Sequence, residues 1–198
     1  MFKIIIILSF IIIIINFINF KLKYIKLKSK IYNTNNYYLV NNLSDAQVAV
    51  NTLDKLMYTV KILIEKIINE NNSNPENDKY IKYIKIIYDK LPSIIIKESP
   101  LNNKFTSYNI NKGQEIVLCL RDKKTYEFHD FNELLYVTLH EIAHIGCTDI
   151  GHTNLFVSIN QYLLKKAIYY NLYNYIDYRK NNKKYCGLIL SSTILNSE

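Results

Sequence analysis

Tryptophan is absent from the 198 residues, and histidine is scarce, with four in all. Cysteine is limited to Cys119, Cys147 and Cys186. An odd count without paired spacing does not outline a disulfide framework, so the main domain is expected to lie in a reducing compartment and to do without disulfides. No internal repeat is present. What the chain has in excess is Ile, Asn, Lys and Tyr, the skew of an AT-rich coding sequence. Residues favoured by that bias, the 18 tyrosines among them, carry little information singly. Residues it disfavours, histidine above all, carry more. The length suits one compact domain plus an appendage and is too short for two full domains. With 49% apolar residues, a core can be built.

The formal net charge is +8. Lys21, Lys23, Lys26, Lys28 and Lys30 form one run directly after residues 4–20, a stretch of 17 residues without a charge. A basic excess can meet nucleic acid or an anionic membrane, and its place beside the apolar stretch favours the membrane. The stretch is at the short end of a bilayer span, and Asn16 and Asn19 interrupt its far end. No small-residue cleavage site follows it. The sequence therefore predicts a transmembrane anchor over 1–20, a basic juxtamembrane segment and linker over 21–43, and a domain over 44–198. Because the lysines follow the anchor, the positive-inside rule puts the domain of this single-pass membrane protein on the cytoplasmic side.

Within the domain, Ser44 and Gln47 have capping-box spacing. Apolar residues from Val48 to Ile68 recur at helical intervals. A break at NNSNPEND separates this helix from a second, over about 78–91, which Pro92 ends. Ile94–Ile96 reads as a strand, and EIVLCL (115–120) as the clearest one, apolar on both faces after Glu115. RDKKTYEF reads as a turn with a returning strand. Asp130 or Asn132 can cap a helix reading FNELLYVTLHEIAHIG, which Gly146 ends. Thr153 can cap the next helix, and YCGLIL (185–190) is the last strand.

Three of the four histidines fall within thirteen residues: His140, His144 and His152. His140-Glu141-Ile142-Ala143-His144 is an HExxH motif. Positions four apart on a helix lie about 40° apart around its axis and one turn along it, so both imidazoles can reach one metal ion. Glu141 lies about 100° around from His140 and is free to act on a water beside the metal. A zinc ion lowers the pKa of such a water toward about 7 and polarises a scissile carbonyl. Glu141 then accepts the water's proton and passes it to the departing amine. Catalytic zinc takes three protein ligands. His152, beyond Gly146 and Gly151, is the obvious third, with Asp149 and Cys147 as rivals. Asp149 could instead orient an imidazole. His129 is a candidate substrate contact or an ordinary loop residue. Tyr162, Tyr169 and Tyr185 are candidates for stabilising an oxyanion. The EIVLCL strand lies just before the motif helix, placed to pair with an extended peptide or to serve as a core strand.

LHEIAHIGCTDIGHTNLF resembles the active-site region of WLM/SprT-like zinc metallopeptidases, most of all those carried by large DNA viruses. TSYNINKGQEIVLCLRD and YIDYRKNNKKYCGLIL extend the resemblance to roughly residues 100–192. It implies an α+β zincin-like domain, helices packed on a small sheet with HExxH on the active-site helix. It also implies peptide-bond hydrolysis with one zinc per chain held by His140, His144 and His152, Glu141 as base, and Phe156 packing below. Asp149 and Tyr185 are further candidates for orienting a ligand or stabilising the transition state. The expected partners are a protein or peptide substrate and, through the N-terminal helix, a membrane. Two alternatives are a non-catalytic zinc-binding interaction module and a DNA-associated protease acting on protein crosslinks. Retention of Glu141 argues against the first, since a structural zinc site has no use for that base. The lysines lie in one run rather than a patch of the domain, which disfavours nucleic acid.

Overall fold

Five short strands form one sheet in the computed structural model, which describes residues 2–32, 36–73, 79–192 and 195. The strands are β1 (Tyr24–Lys28), β2 (Tyr37–Asn41), β3 (Ile95–Glu98), β4 (Tyr108–Ile110) and β5 (Glu115–Leu118), in the order β1-β2-β3-β5-β4. β2, β3 and β5 run parallel, and β1 and β4 pair antiparallel at the two edges. The helices are α1 (Phe2–Lys23), α2 (Ala46–Ser73), α3 (Ile81–Lys90), α4 (Phe131–Gly146) and α5 (Asn154–Tyr169). A hairpin of β6 (Lys183–Tyr185) and β7 (Leu188–Leu190) follows. The architecture is α+β.

α2 and α3 are the crossover between parallel β2 and β3. α2 lays Ala49, Val50, Leu53, Leu56, Val60, Leu63, Ile64 and Ile67 into the core, the stripe its periodicity predicts. α3 adds Ile84 and Ile87 and passes close to α4. At the contact, a Cβ on Gly146 would meet the Ile87 side chain at 2.9 Å and the Tyr83 carbonyl at 3.0 Å, so this position needs glycine for close packing, while the helix ends at the extended Cys147. Gln47 does not reach back to Ser44; it donates to the Lys28 carbonyl and to Asn51, tying α2 to β1. The helix break NNSNPEND lies partly outside the described residues.

The N-terminal region departs most from expectation. Among the described residues, no helix is long and apolar enough to cross a membrane, which overturns the single-pass assignment and the cytoplasmic placement built on it. α1 is helical, with Ile5–Ile15 exposed. Its uncharged run of 17 residues, at the short end of the range, is less than the ~20 of a typical spanning helix. The lysine run is partly strand β1, in which Lys26 and Lys28 face outward while Ile25 and Leu27 are half-buried. That alternation has the period of two of a strand with one covered face. The expected linker contains β2, whose Tyr38 and Val40 are buried.

Cys119 and Cys186 form a disulfide, against the expectation of none, and Cys147 is the free, buried cysteine. The partners stand 67 residues apart, and only the fold brings the β6–β7 hairpin to the end of β5. YCGLIL is a hairpin rather than one strand, because Cys186 (φ 50°) and Gly187 (φ 86°) both adopt the left-handed backbone of a tight turn. The returning strand after Arg121 is reduced to one bridge, Arg121 to Phe128.

Candidate metal centre

The Asp130 side chain accepts from the Asn132 amide and caps α4. Leu135, Leu139 and Ile142 face the core and fix the helix's rotation, so His140 and His144 emerge together one turn apart. After Gly146 the chain reverses through Cys147–Gly151. Thr153 caps α5, accepting from the Phe156 amide, and this turn returns His152 to the other two. The ligand nitrogens of His140, His144 and His152 all lie within 4.8 Å of one another, with the Nε2 atoms of His140 and His152 3.0 Å apart. Phe156 is the floor: its ring centroid lies 4.9, 4.1 and 4.8 Å from those of His140, His144 and His152.

Burial, then repulsion from His144 and His152, pushes His140 down to about 3. Burial, then the charges of His152 and Lys112, brings His144 to about 4. Both imidazoles are thus neutral at pH 7, the form that ligates metal. Burial alone raises Glu141, 6% exposed, to about 7.

A buried amide tests whether these residues fit a metal. Asn160, on α5, is 1% exposed; its Oδ1 has no hydrogen-bond partner, and its Nδ2 lies 3.4 Å from His140 Nδ1. The two ends of an amide have the same shape, so the group fits its slot either way round. Turned over, Asn160 Oδ1 would accept the Nδ1 proton of His140, satisfying the orphaned oxygen and leaving Nε2 with its lone pair toward the other histidines. That is the usual support of a metal-bound imidazole, so the residues fit. Asn160→Leu is expected to weaken metal binding by about tenfold or more in competition with a chelator; unchanged affinity would detach Asn160 from the site.

The histidines open onto a cleft of about 810 Å³. One wall is β4, the sheet edge nearest α4; EIVLCL, as β5, is an inner strand between β3 and β4 and has no free edge. Asn109 of β4 donates to the Glu141 carbonyl at 3.0 Å, joining the edge strand to the motif helix. The β6–β7 hairpin also lines the cleft, with Tyr185, Leu188 and Leu190. Of the candidate tyrosines, the fold brings only Tyr185 to the cleft; Tyr162 packs on Tyr80, and Tyr169 is 70% exposed. Tyr185 Oη donates to the Cys119 carbonyl at 2.8 Å and meets Ser107 Oγ at 2.8 Å, which fixes the hairpin alongside the disulfide. Asp149 lines the cleft outside the histidine group; its carboxylate accepts from Thr153 and so braces the turn carrying His152. His129 lies away from the cluster, beside Tyr185 and Cys186. Asn109 and Lys112 are lining residues that the sequence reading did not single out. Asn160 carried a signal, since it is the one polar residue among Phe156, Ile159, Leu163, Leu164 and Ala167 on the buried face of α5.

A model of the WLM domain matches residues 94–187. An uncharacterized protein of Acanthamoeba polyphaga mimivirus is 37% identical over 162 residues, covering 82% of this chain and 81% of that protein. Uncharacterized proteins of invertebrate iridescent viruses 3 and 6 are 48% identical over 83 residues and 42% over 94, covering 41% and 46% of this chain. The chain spans about half the length of each of those two, 50% and 51%. Among solved structures, Wss1 of Saccharomyces cerevisiae aligns with 50% of this chain and 85% of its own, at 21% identity and a TM-score of 0.35. The chain belongs to the WLM domain family, which is of the metallopeptidase kind, and its relatives include proteins of large DNA viruses.

Proposed function

We propose that the protein is a zinc-dependent endopeptidase with a zincin-like site, in which His140, His144 and His152 hold one zinc and Glu141 is the general base. The observation that carries the reading is the convergence of three imidazoles within 4.8 Å in a cleft that also contains the buried Glu141. Zinc, when bound, supplies a Lewis acid that polarises a carbonyl and makes a water more acidic. Glu141 takes the proton of the attacking water and returns it to the nitrogen of the departing amine. Its carboxyl, pushed up to about 7, sits near the value at which one group can both accept and donate at neutral pH. β4 offers its outer edge along the cleft, where an extended peptide can add as a further strand. Tyr185 is assigned to holding the hairpin, because its proton is committed to Cys119, and Asp149 to bracing the His152 turn.

The test is the zinc content and peptide hydrolysis of the full chain beside His140→Ala. About one zinc per chain and cleavage of unstructured peptides, both lost in the variant, is the expected result. Zinc without cleavage of any peptide would turn the reading toward a non-catalytic module. A folded protein that takes up no zinc would end it.

A further inference from the structure

The last carbonyls of a helix have no intrahelical partner, and here the stretch beyond α4 must also carry the chain from His144 to His152. Lys112 meets that need from a distance in sequence. Its Nζ donates to the carbonyls of Cys147 at 3.1 Å, Thr148 at 2.6 Å and Asp149 at 3.3 Å. An ammonium has three donors and no acceptor, so three successive carbonyls exhaust it. A cation at a helix C-terminus is also favoured by the helix dipole.

The base of that lysine is itself held. Asn111, Lys112 and Gly113, in the β4–β5 turn, all have left-handed backbone, with φ of 48°, 50° and 100°. For the two non-glycine residues this is a conformation L side chains adopt at a cost. Local bonds sustain it: Asn109 Oδ1 accepts from the Gly113 amide at 2.7 Å, Asn111 donates to Gln114 at 2.7 Å, and Lys90 Nζ donates to the Lys112 carbonyl at 2.9 Å. Gly113 lies against Ile145, the residue after His144; a Cβ there would come within 2.9 Å of the Ile145 side chain. Asn109, which stabilises the turn, also holds the Glu141 carbonyl. One hairpin end therefore grips the motif helix at Glu141 and Ile145 and the loop beyond it at residues 147–149.

We infer that Lys112 is a positioning residue for the metal site: by gathering the carbonyls of Cys147, Thr148 and Asp149 it sets the path of the loop that returns His152 to His140 and His144. The inference rests on the proposal that His152 is the third ligand. His140 and His144 need no such help, since the helix fixes both. His152 lies outside any helix, on the loop before the cap of α5, so loosening the loop withdraws one ligand of three.

The experiment uses the full chain. Zinc affinity is measured by chelator competition, and the visible spectrum of added cobalt(II) reports the ligand set, for wild type, Lys112→Met, Lys112→Arg, His152→Ala and the double variant Lys112→Met/His152→Ala. Lys112→Met is expected to weaken zinc binding by about 10–100-fold and to shift the cobalt spectrum toward that of His152→Ala, with Lys112→Arg recovering most of both. In the His152→Ala background the lysine change should add nothing, because residues acting through one another are non-additive. A lysine that only stabilised the fold would instead lower affinity equally in both backgrounds and leave the cobalt spectrum unchanged, which would overturn the inference. Should Lys112→Met not fold, Lys112→Gln, which keeps some donors, replaces it with the same expected direction. Wild-type binding in Lys112→Met while His152→Ala is impaired would sink the inference alone. No effect of His152→Ala would remove the three-histidine site, and the inference with it.

Discussion

Glu141→Gln is expected to slow peptide hydrolysis by roughly 10²–10⁴-fold, the usual contribution of a general base, while zinc content stays as in the wild type. The side chain is 6% exposed and lies in the cleft with the histidines but outside their ligand cluster. An amide of the same shape keeps the packing and loses the ability to take a proton. The loss should fall on kcat with KM little changed, because the carboxyl acts on the water and not on the bound peptide. Its backbone carbonyl remains available to Asn109, so the helix should not shift. Kinetics on one peptide and metal analysis of both proteins decide the matter: equal rates would remove Glu141 from the mechanism. Lost zinc would show that the substitution acts on the metal site rather than on proton transfer.

The features legible in the sequence were those set by local rules. Helical spacing put His140 and His144 on one face, and residue chemistry offered Asp130 or Asn132 as one cap and Thr153 as the other; the structure uses Asp130 and Thr153. His152 stood out because the chain uses so few histidines, and Phe156 through the family resemblance, whose expected packing under the histidines the structure shows. What stayed hidden depended on pairing across the fold. β1 was obscured by its own exposed lysines, which read as a charge run while Ile25 and Leu27 carried the strand. Cys119 and Cys186 meet only after the hairpin docks. Whether EIVLCL was an edge or an inner strand depended on the three residues of β4, too short to announce themselves. Lys112 had no sequence signal at all, since its role depends on carbonyls 35 to 37 residues away.

Arg121→Met should be the most destabilising substitution away from the cleft, costing about 3–5 kcal/mol, the range for removing one partner of a buried ion pair. Arg121 is 3% exposed; its Nε donates to Glu98 at 2.7 Å, its Nη1 to Asp45 at 2.5 Å, and its guanidinium stacks 3.9 Å from the centre of the Phe128 ring. Glu98, 1% exposed, also accepts from the Asn41 amide at 2.8 Å. One cation thus joins β2, β3, the start of α2 and the loop that leads to α4. Methionine would fill much of the volume and leave the Glu98 carboxyl buried with a single partner, so the cost is electrostatic rather than steric. Thermal unfolding should show a midpoint lower by on the order of 10 °C, and adding Glu98→Gln should recover part of it by removing the unpaired acid. A shift below about 2 °C would mean that water already reaches this pair. The wild type should also show an acid dependence from Asp45, whose hydrogen bond to Arg121 holds it below the usual carboxylate range. A depressed folded value stabilises fully above the unfolded value of about 3.9 and is lost as pH falls through the folded one. The gap in stability between wild type and Arg121→Met should therefore narrow below about pH 4.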